Sequence, residues 1–324
     1  LPRRLYAAAD DPRHRMAEPI LKWAGGKRQL LDSLYARFPA SYDSYHEPFI
    51  GGGALFFDLE PDAGTINDAN PRLVSLYETV RDDPDALIER LESFDDPESD
   101  PDPSLPYAET TQRGRDVDNY YYQQRARFND RPYTGEFDTL EEAALLVYLN
   151  RTCYNGLYRE NADGGFNVPI GRYADPDWVK RDRIRRASDA LADVEIHGSD
   201  FEYVLDAADS GDLVYVDPPY EPMSTTADFT EYSADGFDRS DQTRLLDVAS
   251  ELADRGVSVV LSNSGVMYEP YADAGFHVTT VGATRAINSD GDGRDEVDEV
   301  IATTVPEAER LTAGQRSLST FDDE

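Results

Sequence analysis

Asp217, Pro218, Pro219 and Tyr220 set a carboxylate, two stiffened peptide carbonyls and an aromatic face side by side within four residues. Proline fixes its own φ and drives the residue before it into an extended conformation, so the acid and the carbonyls after it have little freedom. Such a set can grip a group that donates two hydrogens and offer a ring to a flat ligand. The preceding run Leu213, Val214, Tyr215, Val216 reads as a short strand buried on both faces, as in a parallel sheet covered by helices. A rigid acid at the carboxyl end of that strand stands where open α/β sheets bind ligands. A plain proline turn would use the same residues, so other parts of the chain must decide.

A second set lies earlier. In FIGGGALFF, Gly51 to Gly53 fall where a strand passes into a helix, and their missing side chains let a ligand approach the backbone. Asp68, seventeen residues beyond Gly51 and at the expected end of the next strand, is placed to accept hydrogen bonds from ribose hydroxyls. The spacing suits a nucleoside cofactor and leaves NAD and S-adenosylmethionine both open. Phe56 occupies the third glycine position of G-x-G-x-x-G, which counts against an oxidoreductase. KWAGGK adds Trp23 and Lys27 around a glycine pair, suited either to closing over an adenosine moiety or its carboxylate tail, or to capping the next helix.

If the cofactor is S-adenosylmethionine, its sulfonium methyl is already activated and the acceptor needs orientation more than deprotonation. The exocyclic amine of adenine is such an acceptor, because its lone pair is delocalised into the ring. Asp217 and the Pro218 carbonyl can accept both amino hydrogens and direct the lone pair at the methyl group. Tyr220 then serves as the face on which a base flipped out of a duplex stacks. Cys153 as a nucleophile for methylation at carbon lacks support, since no proline precedes it. His14, His46, His197 and His277 are scattered without ligand spacing, so no metal site is expected.

These residues need a sheet to position them. SYHEPFIGGGALFFDL reads as strand, glycine loop and helix, and GTINDANPRLVSLYETV as strand, loop and helix, which together open an α/β sheet. Leu30, Leu31, Leu34, Tyr35 and Phe38 recur at helical spacing ahead of them. From Arg81 to about Gln112 prolines and acids predict a loop or an insertion. DNYYYQQRARF and DTLEEAALLVYLN predict helices, Asp163-Gly164 predicts a hairpin, and a helix holding Trp178, Val179 and Ile184 follows. The α/β rhythm then resumes with VEIHGSD, DLVYV, the helix DRSDQTRLLDVASELADRG and VSVVLSN, and closes on the strands GFHVTTVG and VDEVIATTV.

The bulk numbers set limits. No run of eighteen apolar residues and no signal-peptide pattern occurs, so a soluble, cytoplasmic protein without membrane attachment is expected. One cysteine excludes an internal disulfide and a cysteine zinc cage. The net charge of −34, from 65 acids against 31 bases, argues on its face against a polyanionic partner. The spread of acids, however, resembles a halophile's solvated surface, where molar salt shortens the screening length to roughly 3 Å. Lys22, Lys27 and Lys180 are the three lysines of the chain, and the first two stand close together.

KWAGGK, EPFIGGGALFF, INDAN, NRTCYNGLYREN, FNVPIGRY and VDPPY, in that order, resemble the Dam-type, or D12-class, N6-adenine DNA methyltransferases. The likeness runs from about Leu21 to Val305, apart from an acidic segment near 95–115. It implies a seven-stranded, Rossmann-like S-adenosylmethionine-dependent methyltransferase sheet with an inserted, mainly helical target-recognition domain. The catalytic domain would be discontinuous, 18–80 and 190–305, with recognition at 81–189 and flexible ends at 1–17 and 306–324. Trp23, Lys27, Glu47, Phe49, Gly51, Gly53, Asp68 and Asp217 would line the cofactor pocket, and Asp217, Pro218, Pro219 and Tyr220 would meet the target adenine. Double-stranded DNA would be the partner, read at GATC or a related site by Tyr154, Asn155, Leu157, Arg159, Pro169 and Tyr173. Tyr154 would insert into the base stack, and Arg159 could bond a guanine with two donors. A monomer is expected, and a partner restriction endonuclease is left open.

The charge objection also becomes local. Residues 151–186 carry eight Lys or Arg and five Asp or Glu, a balance of +3 inside a strongly acidic chain, and KRDRIRR at its end could contact phosphates. A helix of mixed solvated charge would have the same composition. Two other functions stand beside the leading one: an amine methyltransferase acting on RNA, protein glutamine or cytosine N4, and a catalytically silent DNA-binding relative. Intact Asp217 and an intact glycine loop weigh against the silent relative, and the NGLYR segment favours DNA.

Overall fold

Leu213–Val216 forms strand β4, and all four of its residues are buried. Side chains alternate across a strand, so Leu213 and Tyr215 enter one hydrophobic cluster while Val214 and Val216 enter the other. The strand must therefore lie between two layers of helices, as the apolar run predicts. In this computed structural model of the chain the described residues are 16–23, 27–105, 107, 118–130, 138–161, 163–220, 237–283 and 297–311. The expected flexible ends fall mostly outside them, as do the glycine pair of KWAGGK and most of the segment from 106 to 117.

The sheet has seven strands: β1 (Tyr45–Glu47), β2 (Gly64–Asn67), β3 (Val194–His197), β4, β5 (Ser258–Ser264), β6 (His277–Ala283) and β7 (Val297–Thr303), in the order β3-β2-β1-β4-β5-β7-β6. The first five run parallel, and β7 lies antiparallel between β5 and β6. The strand order reverses between β1 and β4, which pair through Tyr45 with Leu213 and His46 with Val214. Loops leaving neighbouring strands at such a reversal diverge and leave a crevice at their carboxyl ends. The glycine loop follows β1 and Asp217 follows β4, so both open onto that crevice. The expected α/β, seven-stranded sheet is what the chain forms.

The helices are α1 (Leu31–Tyr35), α2 (Phe56–Leu59), α3 (Pro71–Asp82), α4 (Pro84–Glu92), α5 (Tyr120–Asp130), α6 (Thr139–Thr152), α7 (Arg181–Leu191), α8 (Val204–Ala207), α9 (Arg239–Asp254) and α10 (Tyr268–Asp273). In α3 the Asn70 side chain accepts from the Arg72 amide at 3.0 Å and Pro71 takes the first turn, where its missing N–H costs nothing. The same device starts α4, which corrects the expectation of a loop from Arg81 onward. Asp83 caps it, Pro84 opens it, and Leu87, Ile88 and Leu91 are buried. Trp178 and Val179 lie just before α7, not within it, and the Trp178 indole donates to the Leu91 carbonyl at 2.9 Å.

Between β2 and β3, α3 to α7 pack with the sheet in one continuous cluster that includes Leu73, Leu76, Leu145, Tyr148 and Ile184. Every residue of α6 from Glu141 to Thr152 is buried, making it the central post of this layer. The Asp163-Gly164 hairpin is present: Gly164 has φ +73°, the Asn161 amide donates to the Gly165 carbonyl at 2.8 Å, and Glu160 bridges Phe166. No helix among the described residues is long and apolar enough to cross a membrane, and no metal-binding cluster of His, Cys, Asp or Glu occurs among them.

Candidate active site

The glycine loop leaves β1 under tight constraint. Gly51 has φ +47°, its amide donates to Asp68 Oδ2 at 3.0 Å, and its carbonyl accepts from the Tyr77 hydroxyl at 2.6 Å. Gly52 passes directly beneath Trp23, so that a Cβ there would stand 2.5 Å from the Trp23 Cβ. The indole of Trp23 in turn stacks on Tyr158, with centroids 5.1 Å apart. Asp68 takes a second backbone donor, the Asn70 amide at 2.9 Å. Burial nevertheless outweighs both amides and pushes its carboxyl up to about 6.

Glu47 ends β1 and is buried, with the Tyr45 hydroxyl donating to Oε2 at 2.6 Å. Burial raises its pKa well above the usual range against that hydrogen bond, and the charges of Asp217 and Asp68 add to the rise. Because β1 pairs with both β2 and β4, Glu47, Asp68 and Asp217 stand at the carboxyl ends of three adjacent strands. Phe49 stands in the crevice wall, packed on Phe201 at 5.5 Å and edge-on to Phe237 at 5.7 Å.

Across the crevice, Asp217 Oδ1 meets the Lys27 ammonium at 3.0 Å and accepts from the Ser262 hydroxyl at 2.8 Å. Burial raises the Asp217 pKa, while Lys27 and Ser262 oppose the rise. The Lys27 ammonium also lies 4.4 Å from the centroid of the Tyr220 ring, whose hydroxyl donates to Glu299 Oε2 at 2.9 Å. The Pro219 carbonyl accepts from the Gln242 amide at 2.9 Å, and Asn263 donates to the other end of that amide at 3.0 Å. Asp217 Oδ2 and the Pro218 carbonyl have no protein partner among the described residues. Both acceptors belong to the same short turn as Tyr220.

Sequence reasoning missed Ser262, Gln242, Asn263 and Glu299. A signal for the strand residues was available. Ser262, Asn263 and Ser264 are polar residues ending an apolar strand, all almost fully buried, and buried polar groups are placed for their partners.

The third group lies on the loop after α6 and on the segment after the hairpin. Tyr154 is 48% exposed, and Asn155, in the left-handed region with φ 55°, Arg159 and Pro169 are exposed beside it. The Tyr154 amide donates to the Pro169 carbonyl at 2.9 Å, which joins the loop to the segment after the hairpin. Arg159 donates through Nε to Asn167 Oδ1 at 2.6 Å, leaving its two terminal nitrogens without a partner among the described residues. Leu157 is half-buried. So is Tyr173, whose hydroxyl donates to the Cys153 carbonyl and accepts from the Lys22 ammonium, each at 3.1 Å, supporting the loop from below. Burial pushes the Cys153 thiol up to about 12, so the side chain stays protonated, in line with its dismissal as a nucleophile.

KRDRIRR lies at the start of α7 with its charges engaged within the protein: Lys180 with Asp177, Arg181 with Glu92, Arg183 with Glu18, and Arg185 with Asp85 at 3.0 Å. That arrangement matches the mixed-charge helix, the other reading of KRDRIRR, although Arg181 and Arg185 stay about half exposed. The two neighbouring lysines do separate work. The Lys22 backbone is gripped at N–H and C=O by the Asn150 side chain, both at 2.8 Å, whereas Lys27 reaches Asp217.

Comparison with other proteins places the chain in a family. The family model for D12 class N6 adenine-specific DNA methyltransferases matches residues 23–287. A type II methyltransferase of Lactococcus lactis subsp. cremoris is 38% identical over 292 residues, covering 88% of this chain and 94% of that protein. A type II methyltransferase of Methanocaldococcus jannaschii is 38% identical over 292 residues, covering 86% and 95%. The DNA adenine methylase of Escherichia coli is 35% identical over 289 residues, covering 89% and 95%. With an acid-proline-proline-tyrosine turn and a glycine loop sharing one crevice, and with this likeness over most of its length, the chain belongs to the D12 class of N6 adenine-specific DNA methyltransferases.

Proposed function

We propose that the protein transfers the methyl group of S-adenosylmethionine to N6 of an adenine flipped out of duplex DNA, within GATC or a related site. The observation that carries this is a pair of acceptors without a partner among the described residues, Asp217 Oδ2 and the Pro218 carbonyl, on a braced turn whose neighbouring strand carries the glycine loop. They accept the two amino hydrogens of adenine, which frees the nitrogen lone pair from conjugation and orients it. Tyr220 offers the stacking face for the extruded base. Asp217 serves as an oriented acceptor, and its bond to Lys27 favours the ionised form that this role needs.

The crevice fits the cofactor. Two acids, Glu47 and Asp68, stand at the strand ends beside the glycine loop, and Trp23 packs on that loop. Bound there, S-adenosylmethionine supplies an electrophilic methyl on a sulfonium. Asp68 would hold the ribose hydroxyls, with Glu47, Phe49, Trp23, Lys27, Gly51, Gly53 and Asp217 completing the pocket.

Duplex DNA is read by the exposed loop. Tyr154 enters the base stack, the free end of Arg159 bonds a guanine edge, and Asn155, Leu157 and Pro169 line the interface with Tyr173 as support. On this reading residues 18–80 and 190–305 form the catalytic domain and 81–189 the recognition domain of a cytoplasmic monomer. Relatives named type II methyltransferases support the option of a partner restriction endonuclease.

Incubation with labelled S-adenosylmethionine at high salt, using GATC duplexes and scrambled duplexes, tests the proposal. Label is expected in the GATC duplex, on adenine N6. Label in scrambled duplexes alone removes the site assignment. Label in neither, or in cytosine or RNA instead, removes the proposed reaction.

A further inference from the structure

We propose that Ser262 and Glu299 are positioning residues for the transfer: Ser262 fixes the plane of the Asp217 carboxylate, and Glu299 fixes the Tyr220 ring. The inference rests on the roles given to Asp217 and Tyr220 above and extends them to two residues on neighbouring strands.

A carboxylate turns readily about its last torsion, whose wells are broad. One donor does not fix its plane, least of all a lysine on a flexible stem. Asp217 Oδ1 has two donors from different elements, Lys27 at 3.0 Å and Ser262 at 2.8 Å. Ser262 lies inside β5, which pairs with β4 in parallel register, so its hydroxyl is delivered by a rigid strand. It is fully buried and lies 2.9 Å from the Tyr215 hydroxyl. Tyr215 donating to Ser262 leaves the Ser262 proton for Asp217, since a hydroxyl has one proton to give. With both donors on Oδ1, Oδ2 is the acceptor left without a partner among the described residues, and the amine is expected to meet it.

Glu299 braces the other end of the turn. It lies on β7 opposite Ser264 of β5, is buried, and accepts from the Tyr220 hydroxyl at 2.9 Å. Its charge raises the pKa of Asp217, so packing alone gives no reason for an acid there. As an acceptor, it obliges Tyr220 to act as donor and pins the ring at its far end. Strands β5 and β7, which follow β4 in the sheet, thus hold the acid and the ring independently, and Gln242 holds the Pro219 carbonyl between them.

The test compares single-turnover methylation of a GATC duplex, at saturating cofactor and DNA, with cofactor affinity and thermal midpoint. Ser262→Ala is expected to slow methylation roughly 10- to 100-fold, the loss of one hydrogen bond to a charged group, with cofactor affinity within about 2-fold of wild type. Removing that donor raises the Asp217 pKa, so the acid limb of the rate profile should move to higher pH. Tyr215→Phe, which keeps the buried ring, should show the same shift to a smaller degree and serves if the Ser262 variant does not fold. Glu299→Gln keeps an acceptor and should retain the wild-type rate within about 3-fold, whereas Glu299→Ala should lose roughly 10-fold. Combined with Tyr220→Phe, Glu299→Ala should cost no more than either change alone, because both remove one hydrogen bond. Unchanged rates and acid limb in the Ser262 and Tyr215 variants, or full additivity of the Glu299 and Tyr220 changes, overturn the inference while the wild-type reaction stands. No methyl transfer by the wild-type protein overturns the reading of the site and this inference with it.

Discussion

The crevice and the exposed loop treat their polar groups in opposite ways. In the crevice nearly every one is engaged: Asp68 by two backbone amides, Asp217 Oδ1 by Lys27 and Ser262, the Pro219 carbonyl by Gln242, the Tyr220 hydroxyl by Glu299. On the loop Tyr154 is 48% exposed, Asn155 and Pro169 are exposed, and the terminal nitrogens of Arg159 are free of partners among the described residues. The difference matches the two tasks. Chemistry on one amino group gains from acceptors fixed before the substrate arrives. Reading a duplex needs groups whose partners the DNA itself supplies. The segment around Lys22 joins the two regions: Asn150 grips its backbone on the loop side, Trp23 lies between Tyr158 and Gly52, and Lys27 ends on Asp217.

Asp217→Ala should break the crevice outright. Removing both the acceptor and its fixed plane is expected to lower methyl transfer by at least about 100-fold, while cofactor affinity changes much less. Label incorporation alongside calorimetric cofactor binding checks this, and unchanged turnover would refute the role given to Asp217. Arg159→Ala should break the loop differently. Without a side chain to bond guanine, the preference for the recognised duplex over one with that guanine replaced should fall by about 1–3 kcal/mol, and transfer to the replaced duplex should hardly change. A uniform loss on every duplex would instead identify Arg159 as a phosphate ligand.

The same contrast explains what could be read from the chain. The β4 run, the glycine loop, Asp68 and the Asp163-Gly164 turn are written in neighbouring residues, so apolar periodicity and turn chemistry reveal them. Ser262 and Glu299 touch the Asp217-Tyr220 turn only because β5 and β7 follow β4 in the sheet, an order that no local pattern encodes. The α7 cations are similar, since Glu18, Asp85 and Glu92, which neutralise them, lie far off in sequence. Helix α4 was hidden for another reason: Asp83 and Pro84 read as breakers, yet an acid followed by proline is also how a helix begins.

Gly52→Ala sharpens the comparison from the cofactor side. A methyl group 2.5 Å from the Trp23 Cβ, which is itself held by Tyr158, forces the loop or the indole to move. The expected cost is roughly 1–3 kcal/mol of stability, read by denaturant unfolding, with weaker cofactor binding and an unaltered ranking of DNA sites. A changed ranking would mean that the two regions are less separate than their hydrogen bonding indicates.

The smallest effect concerns protons. Asp68, with its carboxyl at about 6, holds its proton more tightly in the folded protein than an unfolded aspartate does near 3.9. Between about pH 4 and 6 the folded state therefore binds more protons, and this position loses stability as pH rises through that window. The function proposed for Asp68 has the opposite preference, because ribose hydroxyls donate best to the ionised form. Cofactor affinity should thus fall as pH drops below about 6, by at most about tenfold per pH unit, the limit for one proton. Asp68→Asn should bind more weakly at pH 8 and lose that dependence, as measured by calorimetry across the range. If the variant keeps the wild-type slope, the titrating group lies elsewhere, and Glu47, whose carboxyl is pushed up by burial and by both neighbouring acids, is next in line.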